Sequence, residues 1–357
     1  MQPVGPATKI VHIEAANPEQ NLTNYLTEGK AEPNLVAKRA HYEAAFQIAK
    51  GRPADKLLFQ LFEQYATETC YGQTGADGDQ DEGFRKAAAL MELSAVMQLT
   101  DVKTGWNEAP SLEALIGSLG YTRGQNGKYF ETFLQLTFHP EPNPLLADTL
   151  IRLSYSYQNI DELIDAPPTF FSLHKKMTDL TFAVIGDDLQ KKEDFAYNRA
   201  RHMVVQQNLG DKDKDALITC FEPVLELAKV AYKDEPHKLA RRFGQVENMR
   251  GMHYLSTDPD KAETHFRSAI ALYLPVLGKY SSEKDNFDTA FLLSNARSNL
   301  TKCLINKPSQ ERVEELKTLL LELKKFYQVL REQNNNHSYY QDEQKVDALL
   351  TQLGVKL

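Results

Sequence analysis

Cysteine is scarce in this 357-residue chain: Cys70, Cys220 and Cys303 are the whole supply. Their number is odd, their spacings are wide, and no Cys-x-x-Cys pair occurs. Neither a disulfide framework nor a thiolate zinc site is encoded. All three read as buried or idle thiols, which suits a reducing compartment. Long apolar runs are missing as well. Stretches such as residues 271–277 fall far short of the roughly 20 residues a membrane helix needs. Residues 1–9 hold two prolines and no basic-then-apolar run, so no signal peptide is expected there. The sequons at Asn21 and Asn299 then carry no glycosylation meaning. A cytoplasmic protein is expected, and a translocated bacterial effector would look the same. Positive charge is in deficit: 41 Lys and Arg against 49 Asp and Glu leave a net charge of −8. Such a chain has no general attraction for phosphate backbones, so nucleic acid is not an expected partner.

Nucleotide and hydrolase signatures are also absent. There is no Gly-x-x-x-x-Gly-Lys-Ser/Thr, no Gly-x-Ser-x-Gly and no His-Glu-x-x-His. No cofactor is expected. Residues 71–83 carry Asp77, Asp79 and Asp81 around Gly78, in outline like a calcium loop. The register fails, because positions six and twelve would be Glu82 and Ala88, not glycine and glutamate. A solvated acidic loop is expected there. Nine histidines are scattered. His253 and His265 flank a predicted turn, and without a third ligand they read as surface side chains.

What is present is helical periodicity and enough apolar residue, 42%, to bury a core. Residues 1–33 are polar and proline-bearing and read as a loose arm. From residue 35 the apolar positions Val36, Ala40, Ala44 and Ile48 recur at helical spacing, and Gly51 and Pro53 stop that helix. Leu57, Leu58, Leu61, Phe62 and Tyr65 mark the next, so a helical hairpin is expected. Further helices are predicted over 84–99, 112–119 and from Phe130. His139-Pro140-Glu141-Pro142-Asn143-Pro144 cannot continue a helix, and a boundary is expected near 138–145. This divides the chain into an arm (1–33), an N-terminal helical region (34–138) and a C-terminal array (145–357). In the array, long helical segments are separated at Pro167-Pro168, Gly186, Gly210, Pro236, Pro259, Pro308 and residues 334–336. No sustained alternation of period two appears, so the fold is expected to be all-α.

Residues 251–274 read Gly-Met-His-Tyr-Leu-Ser-Thr-Asp-Pro-Asp-Lys-Ala-Glu-Thr-His-Phe-Arg-Ser-Ala-Ile-Ala-Leu-Tyr-Leu. This segment resembles the tetratricopeptide repeat. Gly251 and Tyr254 stand at that family's first-helix spacing, Ala262, Phe266 and Ala269 at its second-helix offsets, and Pro275 near its closing proline. The turn is one residue short, and Arg250 stands where the family prefers leucine. The resemblance covers about 25 residues. It implies antiparallel helix hairpins stacked into a right-handed α-solenoid, with an irregular helical bundle as the plainer alternative. It also implies that first helices line a concave groove. There Arg241, Gln245 and Asn248 share one face, as do Asn295, Asn299 and Lys302. In the resembling family such residues hold the backbone amides or terminal carboxylate of an extended peptide, so a protein or peptide partner is implied.

A second segment, Tyr155-Ser156-Tyr157-Gln158-Asn159-Ile160-Asp161-Glu162-Leu163-Ile164-Asp165, is similar to the first aspartate-rich motif of squalene and phytoene synthases. In that reading Asp161 and Asp165, four apart on one helical face, bridge Mg²⁺ to a diphosphate. The motif lies late in the chain, and Asp187-Asp188 after Gly186 reads as a helix cap, not as a second cluster. The expectation is therefore a binding scaffold without chemistry of its own; the alternative is an all-α, Mg-dependent diphosphate enzyme.

Overall fold

The structure is a computed structural model. It describes residues 17–52, 54–71, 82–100, 109, 111–119, 141–157, 159–160, 167–205, 220–306, 309–334 and 337–355. These residues form helices and connecting turns, with no strand among them. By chain contacts they fall into two compact units, Met1–Asp188 and Leu189–Leu357.

The first unit holds α1 (Pro18–Ala31), α2 (Leu35–Ala49), α3 (Lys56–Tyr65), α4 (Glu82–Leu99), α5 (Leu112–Ser118), α6 (Pro144–Tyr157) and α7 (Pro167–Ile185). The arm expected over 1–33 is corrected from residue 17 onward. Asn17 caps α1 by accepting the Glu19 N–H at 2.9 Å, and Pro18 opens the helix without a donor to waste. Leu22, Tyr25 and Leu26, spaced three and four apart, are buried against α2 and α3. The local signals were there, but the polar residues between them masked the short apolar stripe.

At the centre lies α4, buried nearly all round from Ala87 to Val96. Its alanines at 87, 88, 89 and 95 let α3, α5 and α6 come close. The segment after the proline run, grouped by sequence with the C-terminal array, packs here: α6 lies on α4, and α7 on α6. Asn143 takes the N–H groups of Leu145 and Leu146 on its side chain and gives its own N–H to the Val184 carbonyl at 2.8 Å. Gly186, at φ +69°, lies where a Cβ would stand 2.9 Å from Pro142. Only glycine meets both conditions. Residues 142–144 thus anchor the start of α6 on the end of α7 within the same unit.

The second unit holds α8 (Leu189–Val205), α9 (Phe221–Ala231), α10 (Pro236–Tyr254), α11 (Pro259–Tyr273), α12 (Glu283–Asn306), α13 (Gln310–Asn334) and α14 (His337–Gln352). Each helix packs on its neighbour in the chain, and α10 also meets α8 and α12. Pro236 and Pro259 stand at first helical positions, and Asp258 caps α11 through the Lys261 N–H at 3.1 Å. Between α10 and α11 the fit is tight. A Cβ on Gly251 would lie 2.5 Å from the Phe266 ring, and one on Gly244 would lie 2.6 Å from the Tyr273 ring. Ala262, Phe266, Ala269 and Tyr273 are fully buried along the α11 stripe.

Gly251→Ala is expected to lower the urea midpoint of the full-length protein, by about 1–3 kcal/mol of overpacking. Gly117→Ala, with open space around its Cβ, is expected to cost nothing and to gain helix propensity. Equal effects from the two would show that the ring contact does not set the helix spacing.

Candidate functional site

The α10 residues named from sequence lie beside those of α12, and five of the six are held by other side chains. Arg241 pairs with Asp285 at 2.9 Å and lies over the Tyr280 ring at 5.2 Å. Gln245 accepts from Arg242 at 2.7 Å. Asn248 and Asn299 are both buried and joined across the helices, Nδ2 of Asn299 donating to Oδ1 of Asn248 at 3.3 Å. Exposed Lys302 donates to Oδ1 of Asn299 at 2.9 Å. Asn295 is half-buried and makes no side-chain hydrogen bond among the described residues. The structure therefore brings Asn248, Asn299 and Lys302 into one row, with Gln245 one turn along α10 and Arg241 beyond it. Asn248 and Asn299 are buried where α10 and α12 meet.

Behind Gln245 lies a charged cluster that sequence reasoning missed. Glu193 of α8 is fully buried. It pairs with Arg242 Nε at 2.6 Å and accepts from the Tyr232 hydroxyl at 2.9 Å. Arg242 also pairs with Asp194 and stacks 4.0 Å over the Tyr197 ring. Burial pushes the Glu193 carboxyl up, and the Arg242 charge only partly opposes it. Burial also lowers the Arg242 guanidinium, but Glu193 and Asp194 outweigh that and raise it. A carboxylate inside an apolar stripe, at residue 193 between Lys192 and Phe195, was the one available signal.

The α10–α11 turn holds a second cluster. His265 Nδ1 lies 2.8 Å from Glu247 Oε2, and its ring stacks on Tyr254 at 5.6 Å and 8°. Lys261 Nζ sits 3.7 Å over the other partner's ring, Tyr254, and Arg250 ties Glu247 to Glu222. His253 meets the edge of the same Tyr254 at 5.1 Å. Both histidine rings thus pack on Tyr254. Burial pushes the Glu247 carboxyl up, but His265 and Arg250 outweigh it and hold it below the ordinary glutamate value.

Cys70 and Cys303 are buried and Cys220 half-buried, and none of the three is in a disulfide. Burial pushes the Cys70 and Cys220 thiols up to about 12, so neither is a thiolate nucleophile near neutrality. Asp161 and Asp165, like the acidic loop around Asp77, lie outside the described residues. The helix leading to that motif ends at Tyr157, whose hydroxyl donates to buried Glu92 at 3.1 Å. Among the described residues no three His, Cys, Asp or Glu side chains converge to hold a metal, and no helix is long and apolar enough to cross a membrane.

Arg242→Met leaves Glu193 buried without its counter-ion and is expected to cost about 3–5 kcal/mol in chemical denaturation. Adding Glu193→Gln should recover part of that loss. No recovery would mean that Arg242 stabilises by its packing alone. Glu247, with its folded pKa depressed, binds fewer protons folded than unfolded. Its contribution is present above the unfolded value of about 4.3 and is lost as pH falls through the folded one. The stability gap between wild type and Glu247→Gln should hold above about pH 5 and close below about pH 4. A gap independent of pH would refute the assignment.

Comparison with known proteins finds no family model, no curated protein and no solved structure that matches this chain.

Proposed function

We propose that this chain is a protein- or peptide-binding helical-repeat scaffold without catalytic activity, acting as an adaptor, regulator or effector. In this reading α8/α9, α10/α11 and α12/α13 are successive hairpins of a right-handed solenoid resembling tetratricopeptide repeats, and the first helices α8, α10 and α12 line its binding face. The observation that carries the reading is the order of packing in the second unit. Each helix lies on its chain neighbour, while α10 also reaches the first helices on either side of it. The seating of Phe266 on Gly251 supports it, because small-against-aromatic packing lets the helices of a repeat close up. The face that follows carries Arg241, Gln245, Asn248, Asn295, Asn299 and Lys302. A cytoplasmic location goes with this reading.

The competing class, a diphosphate enzyme working through Asp161 and Asp165, separates from it cleanly. Peptides selected from a displayed library on the full-length protein are expected to lose binding to the double variant Asn295→Asp, Lys302→Glu, whose melting temperature should stay that of wild type. Mg²⁺ with inorganic diphosphate is expected to leave the melting temperature unchanged, since only a ligand of the folded state raises it. A rise that disappears in Asp161→Ala would replace the scaffold with the enzyme.

A further inference from the structure

We draw no further inference here: the strongest candidate, the cleft of about 320 Å³ between α1 and α3 lined by Leu26, Lys30, Leu57, Gln60 and Gln64 among others, carries nothing, since one lysine among hydroxyls, amides and apolar side chains selects no class of ligand and nothing in the structure shows what covers it.

Discussion

The rings of Phe266 and Tyr273 lie against Gly251 and Gly244, and that contact sets how close α11 comes to α10. Any side chain at the two glycines would push the rings outward by an ångström or more. Helix separation in turn decides which polar residues of α10 reach α8 and α12. The charged cluster around Arg242 and the asparagine bridge to α12 both start on α10, on flanks left open when its glycine stripe is filled by α11. Packing by shape therefore comes before pairing by charge in this unit. In the first unit α4 has the same position, with alanines in place of glycines and Glu92 as its one buried carboxylate along the fully covered stretch.

The buried ions add position more than stability. Taking Glu193 and Arg242 out of water costs several kcal/mol per ion, and their attraction returns it only because Tyr232, Tyr197 and Gln245 complete the shell. The return on that arrangement is orientation. Arg242 holds the Gln245 carboxamide with its oxygen inward, as Lys302 holds Asn299. Two cations, one buried and one exposed, thus fix which way the Gln245 and Asn299 carboxamides turn.

Much of the helical content was legible in the sequence. Period 3.6 marked α2, α3, α4 and the helices of the second unit to within a few residues, because proline, glycine and asparagine punctuate them at positions where backbone geometry demands it. Pro236 and Pro259 open helices, Asp258 caps one, and Gly51 closes one at φ +82°. The first helix escaped notice because Leu22, Tyr25 and Leu26 are a narrow stripe among polar residues. Residues 141–143 do precede a helix start at Pro144, but the proline run says nothing about which neighbours that helix packs with. That depends on α6 finding the alanine face of α4, a contact made across some 50 residues of chain.

Spacing alone put Arg241, Gln245 and Asn248 on one face of α10, and Asn295, Asn299 and Lys302 on one face of α12, since the helical period is a local property. Whether those residues stand free, and which atom each turns outward, only the tertiary structure decided. Asn248 and Asn299 are 51 positions apart, and Arg242 and Glu193 are 49 apart. Hydrogen-bond direction passes from partner to partner through contacts of that kind, and no local pattern in a sequence records which helix will lie alongside which.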